Sequence, residues 1–215
     1  MNQSSSLVPE PPLRETLGVT GVVLAGGKSR RMGRDKLPLM VGGKPLLDRV
    51  CLALASRCDE ILVVGGGGDT PAGARHVPDL RPGRQGPLAG IEAGLLAARH
   101  RAVFVAAGDM PFLTGDLAGY LLGLLSGDVP AVVPDFGGSL HPLCAAYGRE
   151  VRPSVSAALD RGRRSVRELL EDLPGVRYVR QEELQRFGNP VLLLTNVNSP
   201  EDLDRARKTL DGGEG

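Results

Sequence analysis

A short apolar run that ends at two glycines is the feature that most constrains the fold of this chain. The run covers residues 21–25 and includes the β-branched Val22 and Val23. Because it is too short for a helix, it predicts a strand buried on both faces. Gly26 and Gly27 follow, and their lack of a Cβ lets the backbone turn sharply and present N–H groups to an anion. The strand is therefore expected to end at an anion-binding turn.

A basic segment follows this turn. Five cations lie within a few residues of the glycines: Lys28, Arg30, Arg31, Arg34 and Lys36. The segment has neither the Gly-Lys-Ser/Thr spacing of a Walker loop nor the GxGxxG spacing of a dinucleotide turn. A solvated basic loop is the plainer alternative for a short Gly-Gly-Lys motif, but the whole string favours a triphosphate site.

The rest of the chain alternates between strand-type and helix-type patterns. This alternation predicts an α/β fold: a three-layer α/β/α sandwich with a Rossmann-like, mostly parallel sheet. Residues 18–211 are expected to form one domain between flexible tails at 1–17 and 212–215. Further strands are predicted at 61–64, 102–107, 131–133, 139–147, 176–179 and 191–194. Helices are predicted to start near Lys44–Pro45, Gly86, Thr114 and Ser199, and two more lie within 151–173 on either side of Gly162.

Composition excludes several classes of protein. The formal net charge of +1 argues against a nucleic-acid partner. No apolar run approaches the roughly 20 residues that span a bilayer, and the N-terminal segment lacks an apolar signal-peptide region, so we expect a cytoplasmic protein with no membrane partner. Cys51, Cys58 and Cys144 include no CxxC pair, which supports neither a disulfide framework nor a zinc site. Cys51 and Cys58 are predicted to lie on one face of a helix as buried thiols.

Two aspartates stand at positions suited to ligand binding. Asp109 follows the apolar run 102–107, and ligands of open α/β sheets bind at the carboxyl ends of strands. Magnesium prefers one or two carboxylates together with phosphate oxygens, which a single aspartate at this position would provide. Asp79 follows a short extended piece and precedes Gly86-Pro87. For both aspartates, a turn-forming role is the structural alternative.

The sequence resembles a known family in four blocks that occur in the same order. Residues 24–36, Leu-Ala-Gly-Gly-x-x-x-Arg-Met-Gly-x-Asp-Lys, resemble the signature loop of nucleotidyltransferases that couple an NTP to a phosphorylated acceptor and release pyrophosphate. The Asp-Lys ending most resembles the molybdenum cofactor guanylyltransferase family. The other blocks are Asp79 with Gly-Pro-Leu-Ala-Gly at 86–90, Asp109-Met110-Pro111, and Asn-x-Asn-Ser-Pro-Glu-Asp-Leu at 196–203.

The resemblance implies a fold, a reaction and a set of site residues. The fold would be of the nucleotide-diphospho-sugar transferase type. The reaction would transfer GMP from GTP to molybdopterin bearing molybdenum, with Mg²⁺ as cofactor, giving the guanine dinucleotide and pyrophosphate. The implied roles are nucleotide binding by Leu24, Ala25, Gly26 and Gly27, charge neutralisation by Arg31 and Lys36, guanine selection by Asp79, and metal binding by Asp109.

One glycine departs from the family pattern, and two further residues and one arginine cluster each have two interpretations. Gly66 stands near the place where the family has a nucleotide-binding asparagine, so a side-chain contact is missing. Asn198 either reaches the metal or a phosphate, or belongs to a helix cap. His141, in a His-Pro-Leu string that resembles the acceptor-facing region, is either an acceptor contact or a structural residue. The arginines Arg161, Arg163, Arg164 and Arg167 form either a solvated helix end or a site for an acceptor phosphate.

Two other functions compete with guanylyl transfer. One is a related transferase that uses CTP, or that acts on a sugar or alditol phosphate. The other is a non-catalytic module that binds GTP. A separate GTP-binding accessory protein and molybdoenzymes that receive the cofactor are the macromolecular partners that the resemblance suggests.

Overall fold

The computed structural model describes residues 18–26, 37–67, 69–81, 83 and 86–211 of the chain. The predictions for Gly27, Arg31 and Lys36, and those for the two tails, fall outside these described residues.

The described residues contain ten β-strands and eight α-helices. The strands are β1 Val19–Leu24, β2 Met40–Val41, β3 Lys44–Pro45, β4 Glu60–Val64, β5 Ala74–Val77, β6 Ala102–Ala107, β7 Ala131–Phe136, β8 Ser139–Leu140, β9 Cys144–Gly148 and β10 Arg177–Val179. The helices are α1 Leu46–Ala55, α2 Pro87–Ala97, α3 Gly115–Gly123, α4 Arg152–Asp160, α5 Val166–Asp172, α6 Gln181–Leu184, α7 Pro190–Leu193 and α8 Pro200–Asp211.

The main sheet is mostly parallel, which confirms the predicted fold class. Its strand order is β10-β7-β9-β6-β1-β4-β5, and β8 pairs with β7 outside this path. Strand β9 runs antiparallel between β6 and β7. At the centre, Leu24 of β1 is in register with Val64 of β4 and Ala107 of β6. The carboxyl ends of these three strands are therefore level with one another.

The alternating side chains of the sheet form a core on each face, because successive residues of a strand point to opposite sides. Val22 belongs to one core and Val23 to the other. The first core also contains buried residues of α2, α4 and α5, and the second contains those of α1, α3, α6 and α7. These two helical layers and the sheet between them are the predicted three-layer sandwich.

Helix α2 lies unusually close to the central strand. A β-carbon built on Gly94 would lie 2.5 Å from Val22 Cγ1 and 2.9 Å from Val22 Cγ2, so a glycine is needed at this contact. The helix is buried from Leu88 to Leu95 because α4 covers the side that faces away from the sheet.

A smaller apolar cluster connects the segment around β2 and α1 to the C-terminal segment of the described chain. It contains Val41, Leu46, Val197, Leu203 and Ala206. The cluster holds the β2–β3 hairpin and the start of α1 against α8, the predicted helix that follows Ser199.

The strand predicted at 191–194 is wrong, because these residues belong to helix α7 and the turn after it. The Asn189 side chain accepts a hydrogen bond from Val191 N at 3.0 Å, and Pro190 occupies the first turn. A short apolar run has the same appearance in a buried helix as in a buried strand, so periodicity could not separate the two. The capping asparagine and the proline decide for a helix.

Three smaller expectations are also corrected. Lys44–Pro45 is strand β3, paired with β2, and the helix starts one residue later at Leu46, because Pro45 has an extended ψ of 147°. Cys58 lies three residues beyond the end of α1 and so does not share a helical face with Cys51. The extended stretch predicted at 139–147 is interrupted by a turn at 141–143 between β8 and β9.

Several other predicted elements are present near their expected positions, although β7 extends three residues beyond the predicted 131–133. Pro87 begins α2, and Thr114 caps α3 by accepting a hydrogen bond from Leu117 N. Helices α4 and α5 lie on either side of Gly162. Strand β10 is at an edge of the sheet. Among the helices of the described residues, none has both the length and the apolar character of a membrane span.

Candidate nucleotide-transfer site

The chain changes direction in the sheet beside β1. After β1 it builds β4 and β5 on one side, and it then returns to place β6 on the other side. Open α/β sheets bind ligands in the crevice outside the strand ends at such a point. Two hydrogen bonds continue the sheet past its last residues here, from Gly108 N to Leu24 O at 3.0 Å and from Ala25 N to Val64 O at 2.8 Å. Leu24 and Ala25 therefore lie at the ends of these strands; their nucleotide-binding role stays a prediction.

Gly26 and Asp79 meet at the end of β4. Gly65, just after β4, has φ +72°, and a β-carbon built on it would lie 3.3 Å from Gly26 N and 3.5 Å from Asp79 Oδ1. The left-handed conformation and the close approach of the Gly26 backbone both require glycine at this position. Asp79 is exposed, so its carboxylate is available to a ligand beside Gly26.

Gly66 lies next to Ala25, just after β1. It is exposed, and a β-carbon built on it would lie 3.2 Å from Ala25 Cβ. The position at which the family asparagine was expected is thus beside β1, but it carries no side chain.

Asp109 is held at the end of β6 by the segment that precedes α8. Its residue is only 8% exposed, and its Oδ1 accepts a hydrogen bond from Asn196 Nδ2 at 2.7 Å. Its backbone oxygen accepts a second hydrogen bond from Val197 N at 2.9 Å. These bonds fix the aspartate between the sheet and the C-terminal segment, although 87 residues separate it from Asn196.

Sequence reasoning missed Asn196. The Asn-x-Asn motif contains both asparagines, but only Asn198 was singled out. The backbone N–H of Asn198 donates to Asp202 Oδ2 at 3.0 Å, as does that of Ser199, and Asp202 N donates to Ser199 Oγ. This reciprocal cap involves Asn198, Ser199 and Asp202 but not Asn196. An asparagine without a part in the cap was the available sequence signal that Asn196 contacts something else.

The cap also affects the ionisation of Asp202. Desolvation by burial would raise the pKa of its carboxyl group. The hydrogen bonds from Asn198, Arg205 and Ser199 outweigh that effect and hold the pKa below its ordinary value.

A cavity of about 380 Å³ lies beside Asp109, with Asn196 and Met110 in its wall. It brings together two regions that sequence reasoning could only place separately, the His-Pro-Leu string and the arginine cluster. The residues of these regions that line it are His141, Pro142, Leu143, Arg164, Ser165 and Arg167. Arg163 forms an ion pair with Asp172 instead.

His141 is partly enclosed. Burial lowers the pKa of its imidazole, and the opposing influence of Asp135 is weaker. Its Nε2 atom is buried and has no hydrogen-bond partner among the described residues.

A second cavity of about 440 Å³ opens at the other side of the strand ends. The residues that line this cavity include Ala25 and the glycines at 65–67, and also Leu37, Pro38 and Asp48. The ends of β1 and β6 are hydrogen-bonded to each other through Gly108 N and Leu24 O. No cluster of three or more His, Cys, Asp or Glu side chains suited to a metal occurs within the described ranges.

The fold and the residues at its strand ends define an NTP transferase. A family model described as the MobA-like NTP transferase domain matches residues 21–180. The chain is 35% identical over 196 residues to a molybdenum cofactor guanylyltransferase of Cereibacter sphaeroides, covering 88% of this chain and 96% of that protein. It is 32% identical over 201 residues to one of Desulfosudis oleivorans, covering 91% and 97%. The chain belongs to the molybdenum cofactor guanylyltransferase family.

Solved structures agree with this assignment. Molybdopterin-guanine dinucleotide biosynthesis protein A of Archaeoglobus fulgidus superposes with a TM-score of 0.77 at 29% identity, over 90% of this chain and 99% of that one. A Mycobacterium tuberculosis protein solved as a complex with manganese has the same fold, with a TM-score of 0.62 at 19% identity, over 89% and 98% of the two chains.

Proposed function

We propose that this protein transfers GMP from GTP to molybdenum-bearing molybdopterin, forming the guanine dinucleotide cofactor and pyrophosphate. The observation that carries the proposal is the meeting of Gly26, Gly65 and Asp79 beside the end of β1, with Asp109 at the end of the neighbouring strand. The activity named for the family relatives supports this choice of substrates. Residues 18–211 would act as one domain, in the cytoplasm.

Asp79 is the residue proposed to select the base. Guanine presents N1–H and a 2-amino group on one edge, and a carboxylate can accept from both. Adenine offers no such pair of donors at this edge. Because Gly65 and Gly66 carry no side chains, the base and ribose would contact the backbone at the end of β4, and Asp79 would supply the main side-chain discrimination.

The transfer itself needs two anions to be brought together. An oxygen of the acceptor's terminal phosphate forms a bond to the α-phosphorus of GTP, while the bond from that phosphorus to the bridging oxygen breaks and pyrophosphate leaves with the electron pair. An ionised phosphate needs no general base. Positioning and charge neutralisation therefore dominate, and Arg31 and Lys36 are proposed to neutralise the phosphates and the leaving pyrophosphate.

Asp109 is suited to hold Mg²⁺. Its carboxylate is a hard oxygen ligand at the strand end, and one protein carboxylate with several phosphate oxygens is a common environment for this ion. When bound, the ion would neutralise charge on the phosphate oxygens. Asn196 donates a hydrogen bond to Oδ1 of Asp109. The role proposed for Asn196 is to hold this carboxylate in one orientation.

The cavity of about 380 Å³ is proposed to receive the acceptor. Its position next to Asp109 would place an acceptor phosphate close to the nucleotide, and Arg164 and Arg167 supply positive charge on its wall. His141, Pro142 and Leu143 would contact the pterin. A GTP-binding accessory protein and recipient molybdoenzymes remain proposed partners.

The test is a pyrophosphate-release assay with molybdopterin and each of the four NTPs. GTP is expected to support the highest rate. Asp109→Ala should abolish turnover and Lys36→Ala should reduce it severely. Asp116→Ala removes an aspartate whose side chain is 71% exposed and paired with Arg57, so this control should keep wild-type activity.

Three results would contradict the proposal. Preference for CTP would indicate the cytidylyl enzyme. GTP binding without pyrophosphate release, in the presence of a competent acceptor, would indicate a binding module. Wild-type turnover by purified Asp109→Ala would remove this aspartate from the reaction.

A further inference from the structure

Arg81 forms an ion-pair network directly beside the segment that carries Asp79. Its Nε donates to Glu92 Oε2 at 2.6 Å and its Nη2 to Glu92 Oε1 at 2.8 Å, so the pair is bidentate. Its Nη1 donates to Asp160 Oδ1 at 2.7 Å. One guanidinium group thus joins the segment after β5 to helix α2 and to the end of helix α4.

Glu92 is an unusual residue for its position. It is buried in α2, where every residue from Leu88 to Leu95 is buried. Its hydrogen bonds to Arg81 lower the pKa of its carboxyl group against the effect of desolvation. A buried carboxylate requires a fixed cationic partner, and the planar fork of arginine gives that partner one orientation.

The position of Arg81 in the chain connects this network to the nucleotide site. Arg81 follows Asp79 by two residues, and two residues of chain span at most about 7 Å. Once the Arg81 fork is fixed against Glu92, the backbone at Asp79 has little freedom to move. The Asp79 carboxylate points towards Gly65 and Gly26, where the base is proposed to bind.

The network also reaches the acceptor side. Asp160 is the last residue of α4, and the loop that follows carries Arg164 in the wall of the acceptor cavity. A β-carbon built on Gly86, just before α2, would lie 3.6 Å from the Arg164 backbone oxygen. Arg81 therefore lies in the chain between Asp79, at the proposed base position, and Gly86, beside a residue of the acceptor cavity.

We propose that Arg81 is a positioning residue for base selection: its bidentate pair with Glu92 holds Asp79 where it can distinguish guanine from a purine without the 2-amino group. The inference rests on the proposed function, in which Asp79 reads the base. Arg81 touches no substrate, and its effect is on the geometry of Asp79.

Selectivity between GTP and inosine triphosphate measures this geometry, because inosine lacks only the 2-amino group. Hydrogen bonds to charged groups correspond to roughly a 10- to 150-fold difference in affinity, so the wild-type KM ratio of inosine triphosphate to GTP should lie in that range. Arg81→Lys keeps the charge but loses the fork, and it should reduce the ratio at least about fivefold by raising the KM for GTP, with kcat nearly unchanged. Glu92→Gln keeps the shape of the side chain and should act in the same direction.

The matched control is Arg75→Lys. Arg75 donates to the buried Glu60 at 2.9 Å, in a similar arginine–carboxylate pair at the start of β4, the opposite end of the strand from the site. This variant should lower the thermal midpoint but leave the KM ratio at the wild-type value. Unfolding scans on all variants identify any that fail to fold. If Arg81→Lys does not fold, Glu92→Gln serves as the test.

The outcomes separate the inference from the proposed function. If the folded Arg81→Lys and Glu92→Gln proteins keep the wild-type KM ratio, the network is only structural and the inference is overturned. If the Arg75→Lys protein loses selectivity as strongly, the effect comes from general destabilisation, which also overturns it. Wild-type protein that does not discriminate between the two nucleotides would overturn the role of Asp79 itself.

Discussion

The hydrogen bond between Asn196 and Asp109 allows a test of how the carboxylate proposed to bind the metal is positioned. Asn196→Ala removes a donor that lies 2.7 Å from Oδ1 of a carboxylate in a residue that is 8% exposed. A hydrogen bond to a charged group contributes about 1.5–3 kcal/mol, which corresponds to a factor of roughly 10 to 150 in a binding constant. Mutation of a residue that hydrogen-bonds to a metal ligand and orients it lowers metal affinity or activity by a similar factor, about 10- to 100-fold.

The assay measures pyrophosphate release at saturating GTP while Mg²⁺ or Mn²⁺ is varied. Asn196→Ala should raise the half-saturating metal concentration by about one to two orders of magnitude. The ratio of KM values for inosine triphosphate and GTP should stay unchanged, because the bond does not involve Asp79.

Asn189→Ala is the matched control for this experiment. It removes the asparagine that caps α7 through Val191 N, which should cost about 1 kcal/mol of stability without changing the metal dependence. A folded Asn196→Ala protein with wild-type metal dependence would refute the argument that Asn196 orients the metal ligand.

Two further predictions concern stability. Gly94→Ala should lower the free energy of unfolding by about 1–3 kcal/mol, because the new β-carbon would lie 2.5 Å from Val22 Cγ1. Gly119→Ala, where the nearest atom would be 3.4 Å away on the flexible Arg57 side chain, should be neutral or stabilising in the same denaturant titration, and equal losses in both variants would contradict the packing argument. Glu60 has its pKa lowered below 4.5, since hydrogen bonds from Arg75, Arg99 N and Thr20 outweigh desolvation. Its contribution to stability is therefore present above about pH 4.5 and is lost as the pH falls through the lower folded-state pKa. Glu60→Gln should flatten the dependence of the thermal midpoint on pH below 4.5, and an unchanged slope would contradict this assignment.

Sequence patterns predicted those elements whose signals are local. The buried central strands β1, β4 and β6 are short apolar runs with clear ends, and α8 begins at a serine cap followed by proline. Gly26 after β1 and the aspartate after β6 were also predicted at strand ends. These features depend on residues close together in the chain, which is why periodicity and capping rules found them.

Where local signals were ambiguous, tertiary contacts decided the structure. The apolar run at 191–194 has no periodicity that separates a strand from a helix, and its position beside the second core, with Asn189 at its start, made it helical. Strand β9 entered the sheet antiparallel between β6 and β7, because its partners were set by packing across the sheet rather than by its own sequence.

The sequence alone predicted that this protein is an α/β nucleotidyltransferase, and it placed Gly26 and two candidate aspartates at strand ends. Only the tertiary structure decided which distant residues hold those aspartates: Asn196 lies 87 positions from Asp109, and Asp160 lies 79 positions from Arg81. The physical reason is that hydrogen bonds and ion pairs require the two groups to lie within about 3 Å of each other. Sequence spacing says nothing about such distances until the sheet and its two helical layers have formed.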